Sequence, residues 1–180
     1  LGNCARNLHR VRTDAPTATT VASHVLFQHA ASWGSDLVQG DVTQGFMQGD
    51  LDPAAGAVYL SLPRGGLPGV APGSLIRLKK SVYGLAEAPR AWWVKLRTAL
   101  ADAGFVESRL EKATFALRTK KGELCGLACT HVDDVIFTGF GETFSRALEK
   151  MKKSFTWGSW LVNAFTHCGR EVSRDDDGSV

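Results

Sequence analysis

Two carboxylates stand side by side in Thr130-His131-Val132-Asp133-Asp134-Val135-Ile136-Phe137, where strand propensity would favour almost any other residue. A third, Asp41, lies near the end of the apolar run 37–42, in Gln39-Gly40-Asp41-Val42. If the two segments are neighbouring strands, three carboxylates meet at one edge of a sheet. At about 5 Å and an effective dielectric of about 20, each ionised pair repels by roughly 3 kcal/mol. Such a cluster calls for a cation, and hard carboxylate oxygens with few histidine or thiol neighbours favour Mg²⁺. Two ions held this way would activate a hydroxyl and stabilise a leaving pyrophosphate. The plainer alternative is that Asp133 and Asp134 only shape a hairpin tip, since Asp favours turns.

The periodicities supply elements to carry these groups. From Thr17 to Trp33, Ala22, Val25, Leu26, His29 and Trp33 recur at helical spacing, and Gly34 marks the stop. Residues 37–42 read as a short buried strand that delivers Asp41 near its end. Residues 43–57, rich in Gly, Gln and Asp and containing Pro53, predict turns. Val58 to Leu62 and Leu75 to Leu78 read as strands around a loop rich in Gly and Pro. A second helix begins near Pro89, buries Trp92, Leu96, Ala99, Leu100 and Ala103, and stops at Gly104.

Thr114 to Arg118 and Glu123 to Thr130 form a hairpin through Lys120-Lys121-Gly122. The next hairpin bends at Asp133-Asp134 and returns along Val135 to Thr138. A third helix, Glu142 to Phe155, buries Phe144, Ala147, Leu148, Met151 and Phe155 and turns Lys150, Lys152 and Lys153 to solvent. Phe165 to Val172 reads as one strand entering a tight turn, with Asp175, Asp176 and Asp177 as a hairpin tip rather than a metal cluster. Helices segregated against mainly antiparallel strands make an α+β plan.

Composition narrows the class. With 180 residues, 44% hydrophobic and 22% charged, the chain suits one domain and excludes wholesale disorder. No apolar run approaches the roughly 18 residues of a membrane span, and no signal peptide is expected. Cys4, Cys125, Cys129 and Cys168 are too few and too irregular for a disulfide scaffold, and no CxxC spacing supports zinc. A strand would align Cys125, Cys129 and His131 on one face. The net charge of +3 permits a nucleic-acid partner without demanding one.

Three segments, in order, carry a family resemblance. Asp41-Val42-Thr43-Gln44-Gly45-Phe46-Met47-Gln48-Gly49-Asp50-Leu51 resembles the first catalytic motif of Ty1/copia-type retrotransposon reverse transcriptases. Leu78-Lys79-Lys80-Ser81-Val82-Tyr83-Gly84-Leu85-Ala86-Glu87-Ala88-Pro89-Arg90-Ala91-Trp92 is similar to that family's LKKALYGLKQAPRAW segment, and His131-Val132-Asp133-Asp134 to its YVDD. Weaker likenesses flank them at 13–18 and 165–172. The resemblance implies a ferredoxin-like palm, an antiparallel sheet backed by helices on one face, with partial fingers. It implies RNA-directed DNA polymerisation, with two Mg²⁺ (Mn²⁺ as substitute) held by Asp41, Asp133 and Asp134. Gln44 and Gly45 would face the triphosphate, Phe46 would exclude a 2′-OH, and Tyr83 and Gly84 would lie against the nucleotide. His131 and Val132 would border the primer terminus.

The implied partners are an RNA or DNA template–primer duplex, a dNTP, and the integrase and ribonuclease H of a retrotransposon polyprotein, in cytoplasmic virus-like particles. Arg64, Arg77, Lys79, Lys80, Arg90, Lys95 and Arg97 either contact duplex phosphates or form a solvated surface. His131 replaces the family's Tyr, and Ala86-Glu87 replaces Lys-Gln, which puts a negative charge near nucleic acid. The basic stretch of the fingers has only Ala5-Arg6 to Arg12 as its counterpart, with Arg10 and Arg12 as poor substitutes. The chain is expected to be a single palm-and-partial-fingers domain lacking the thumb and ribonuclease H. The rival reading is a non-catalytic remnant that folds as a palm and binds nucleic acid or a partner. A nucleotide cyclase would share the carboxylates but leaves the Tyr83-to-Trp92 segment unexplained.

Overall fold

The computed structural model describes residues 12–51, 56–175 and 178–180. The upstream basic stretch through Arg10, Cys4, the turn around Pro53, Asp176 and Asp177 lie outside the described residues. In chain order the elements are α1 (Thr20–Trp33), β1 (Leu37–Val42), α2 (Gly45–Gln48), β2 (Tyr59–Ser61), β3 (Leu75–Arg77) and α3 (Ala88–Ala103). There follow β4 (Val106–Glu107), β5 (Thr114–Arg118), β6 (Leu124–His131), β7 (Asp134–Gly139) and α4 (Gly141–Ser154). The chain then forms β8 (Trp157–Val162), β9 (Ala164–His167) and β10 (Arg170–Ser173). These elements fall into two compact units, one formed by Leu1–Asp14 with Phe46–Lys95, the other by Ala15–Gly45 with Leu96–Val180.

The larger unit is built on an antiparallel sheet in the order β4-β5-β6-β7-β1-β8. β6 and β7 are buried almost throughout, so their sequences read as apolar runs rather than alternating ones. One face gathers Leu37, Leu127, Cys129 and Ile136 with Leu26 and Ala30 of α1 and with Phe165 and Val172 of the β9–β10 hairpin. On the other face, Phe144 of α4 lies against Gly126 and Gly139, where an added Cβ would stand 2.7 and 2.5 Å from its ring. The sheet is therefore covered on both sides by helices, where the resemblance implied one.

Helix α1 starts at Thr19, whose hydroxyl accepts from the Ala22 N–H at 3.2 Å, and ends where Gly34 adopts φ +62°. Its buried stripe is Ser23, Leu26 and Ala30, and Val25, expected inside, is 50% exposed. Val25 sits about 100° around the helix from Leu26, and the small Ser23 and Ala30 take the inward positions instead.

Two strand expectations also change. Phe165 to Val172 is a hairpin, β9 and β10, closed by Cys168 (φ +49°) and Gly169 (φ +75°). Trp157–Val162, unanticipated as a strand, is β8 and pairs with β1, with Gly40 opposite Trp160 and Asp41 opposite Ser159.

The smaller unit contains the β2–β3 pair, with Tyr59 opposite Arg77. Asp50 pairs with Lys80 and Lys95 there, while Arg90 pairs with Asp14 and lies 4.6 Å from the centre of a Trp93 ring.

Gly40, next to Asp41, has no room for a side chain. A Cβ would stand 2.5 Å from the Trp157 ring and 2.9 Å from that of Trp160, and the two rings pack edge to face at 4.7 Å. Gly40→Ala is expected to destabilise the fold by about 1–3 kcal/mol through overpacking, measured as a lowered midpoint in urea unfolding.

Candidate functional site

The β1–β7 ladder sets Asp41 opposite Asp134, and the β6–β7 ladder sets His131 opposite the same Asp134. The three residues thus share one face of the sheet at its end, because side chains alternate along a strand. Asp133 is carried by the two-residue turn between β6 and β7, pinned to β1 by the Val42 N–H donating to the Asp133 carbonyl at 3.0 Å. The bend is Val132-Asp133 rather than Asp133-Asp134, so Asp134 is the first residue of the returning strand.

The charges act on one another. Burial first, then the charges of Asp41 and Asp134, push the Asp133 carboxyl up to about 6. Asp134 is also raised, by burial and by Asp41, against the opposing pull of His131 and a hydrogen bond from Gln39. Asp133 Oδ1 is buried and has no hydrogen-bond partner among the described residues. Asp41 packs close against Gly158 of β8, where an added Cβ would stand 3.1 Å from Asp41 Oδ2 and 3.0 Å from the Thr43 hydroxyl. Neighbouring hard carboxylate oxygens that repel one another, one of them buried without a partner among the described residues, suit a divalent cation. Among the described residues, however, no group of three or more His, Cys, Asp or Glu is drawn tightly enough to enclose an ion.

Asp134 shows why. Gln39, buried on β1 two residues before Asp41, donates to Asp134 Oδ1 at 3.0 Å and to the Thr166 carbonyl at 3.1 Å. His167 Nδ1 stands 3.8 Å from Asp134 Oδ2, too far for a hydrogen bond. Burial and the neighbouring His131 lower the His167 pKa below its ordinary value, so this approach is not an ion pair at neutral pH. Gln39 has no assigned role in the sequence reading. Its signal was there all the same, a buried-strand amide in phase with Asp41.

Backbone strain gathers here. Val132 takes φ +56° and Gln44 φ +51°, a region that costs a β-branched residue most. Gly45, after Gln44, is buried and opens the single turn of α2.

In the smaller unit, Phe46 of α2 is half-buried, and its ring centre lies 5.3 Å from that of the exposed Tyr83, tilted by 52°. Gly84 adopts φ +91°. Glu87, expected to put a negative charge close to nucleic acid, is only 8% exposed. Four of the seven cations considered for phosphate contact are matched by carboxylates: Lys80 and Lys95 by Asp50, Arg90 by Asp14, and Arg97 by Glu107. Arg64, Arg77 and Lys79 have no ion pair among the described residues.

Residues 5–178 match the family described as reverse transcriptase (RNA-dependent DNA polymerase), and the chain belongs to that family. It is 34% identical over 132 residues, 73% of its length, to the retrovirus-related Pol polyprotein from transposon RE2 of Arabidopsis thaliana. The corresponding protein from transposon RE1 of the same plant is 31% identical over 150 residues, 83% of the chain. That from transposon TNT 1-94 of Nicotiana tabacum is 24% identical over 125 residues, 69% of the chain. These relatives put the chain with copia-type elements. It spans about a tenth of their length, 9%, 10% and 9% respectively. No solved structure matches. The family is one of nucleotidyltransferases that generally use divalent metal ions. No helix among the described residues is long and apolar enough to cross a membrane.

A carboxyl whose folded pKa exceeds its unfolded value binds more protons when folded, so its contribution to stability falls as pH rises through that interval. For Asp133 the interval runs from its ordinary value of 3.8 to about 6. Without divalent cations, wild type should lose stability relative to Asp133→Asn between pH 4 and 7, read by urea unfolding at a series of pH values.

Proposed function

We propose that this chain carries the polymerase centre of a copia-type Pol polyprotein and extends a primer on an RNA template. The observation that carries the reading is the in-register pairing of Asp41 with Asp134, with Asp133 in the adjoining turn. On this reading the larger unit is the palm, and Asp41 and Asp133, with Asp134 as third carboxylate, hold two Mg²⁺ ions, for which Mn²⁺ can substitute. When bound, the ions supply positive charge that lowers the pKa of the primer hydroxyl and neutralises the leaving pyrophosphate. The 3′-hydroxyl attacks the α-phosphate of a dNTP, the bond to the β-phosphate breaks, and the proton leaves with solvent.

The chain's own residues position the reactants. Backbone N–H groups at Gln44 and Gly45 face the triphosphate, helped by the missing side chain at Gly45. Phe46 stands under the sugar and excludes a 2′-OH, Tyr83 and Gly84 lie against the nucleotide and template base, and His131 and Val132 border the primer end. Placement supplies most of the rate in such a reaction. The integrase and ribonuclease H of the polyprotein, in a cytoplasmic particle, are its proposed companions.

Primer extension on an RNA template with Mg²⁺ tests the reading. Several kcal/mol of metal-borne stabilisation correspond to about 10²-fold or more in rate, so Asp133→Asn should fall at least that far with an unchanged circular dichroism spectrum. Undiminished extension by this variant removes the assignment. A wild-type chain that binds the duplex and never extends it favours the remnant.

A further inference from the structure

Helix α2 is a single turn, Gly45–Gln48, and one turn is not self-supporting in water. Its position is therefore imposed from outside, and the structure shows by what. Gly49, which closes the turn by donating to the Phe46 carbonyl, sits against the start of α3. A Cβ at Gly49 would stand 2.9 Å from the Trp92 backbone nitrogen and 3.1 Å from the Ala91 carbonyl carbon. Those are backbone atoms of a helix and cannot yield as a side-chain tip would. The Gly49 carbonyl in turn accepts from the Ser81 N–H at 3.2 Å, two residues before Tyr83. Tyr83 then lays its ring on Phe46 at 5.3 Å. Tyr83 is itself 56% exposed, so its ring does not serve as core filling there.

Resting on the reading of Phe46 as the group that excludes a 2′-OH, we propose that Gly49 and Tyr83 fix where the Phe46 ring stands and so set the sugar selectivity of the site. Gly49 is a positioning residue; Tyr83 also lies against the nucleotide, but that contact is common to dNTP and rNTP, so it moves the selectivity only through Phe46. Gly49 sets how deeply the turn is seated, and the Tyr83 ring blocks the rotation by which Phe46 would swing away from a ribose. The Tyr83 hydroxyl has no part in this; the ring does. Selectivity is then written at positions 49 and 83 as well as at 46.

Single-turnover incorporation of a dNTP and the matching rNTP, with the chain in excess over primer–template, gives the selectivity as a ratio that a general loss of activity does not move. Phe46→Ala should lower the ratio most. Aromatic contacts of this kind are worth about 2- to 12-fold, so Tyr83→Leu should lower it by about 3- to 10-fold, and Gly49→Ala by a comparable factor. Tyr83→Phe should restore the ratio. In the double variant Phe46→Ala/Tyr83→Leu, the second change should add nothing, because residues in contact are not additive. If Phe46→Ala lowers the ratio but Tyr83→Leu and Gly49→Ala leave it intact, or if the effects of 46 and 83 simply multiply, the proposal fails while the polymerase reading stands. If Phe46→Ala leaves the ratio unchanged, or the wild-type chain incorporates neither nucleotide, that reading falls and the proposal with it. Gly49→Ala tests the seat only if it melts as wild type does; the Tyr83 variants, at an exposed position, carry the test if it does not.

Discussion

The larger unit is organised around a repulsion that its backbone does not allow to relax. Asp41 and Asp134 face each other across the β1–β7 ladder, and Asp133 occupies the only turn between β6 and β7. Slipping the register by one residue would separate the charges, but it would also turn Val135, Ile136 and Phe137, all fully buried, to the wrong faces. The apolar burial of the strand centres thus holds together the charges at the strand ends. Burial first, and then the charges of Asp41 and Asp134, raise the Asp133 pKa, and either a proton or a cation relieves the repulsion.

The surroundings of the carboxylates extend this constraint. Gln39 donates to Asp134 and to the Thr166 carbonyl of β9, so one buried amide links the acidic edge to the β9–β10 hairpin. Gly40, the residue between Gln39 and Asp41, faces the Trp157 and Trp160 rings. Three consecutive residues of β1 therefore hold the hairpin, the tryptophan layer and the carboxylate pair. Among the described residues, Gln44, Val132, Asn163 and Cys168 take left-handed conformations without being glycine, and Gln44 and Val132 flank the acidic edge in sequence.

Much of this was legible in the sequence because the signals were local. Leu37–Val42 is a strand with the expected bounds, and α3 starts at Ala88, beside the expected Pro89, and ends at Ala103. What escaped depended on partners distant along the chain. Trp157–Val162 has no clean alternation, and it is a strand because β1 offers it an edge. The inward stripe of α1 was misplaced because hydrophobicity favours Val25, whereas close packing against the sheet favours Ser23 and Ala30. The hairpin turn at Cys168-Gly169 was hidden because Cys is not a usual turn residue. Adjacent aspartates in an apolar stretch were easy to notice, but the buried Gln39 that orients one of them was not, since an amide becomes informative only when its partner is known.

The departures from the family pattern carry physical consequences. Glu87, where the family has Gln, is buried rather than presented to solvent, so its carboxylate is not a surface group. His131, where the family has Tyr, does more than preserve a ring. It lies close enough to pull the Asp134 carboxyl down against burial and Asp41, and it adds to the burial that lowers the His167 pKa. Its Nδ1 is buried without a hydrogen-bond partner among the described residues. The swap therefore places an imidazole, rather than a phenol, opposite the carboxylate that faces Asp41, where it works against the upward push that burial and Asp41 exert on Asp134.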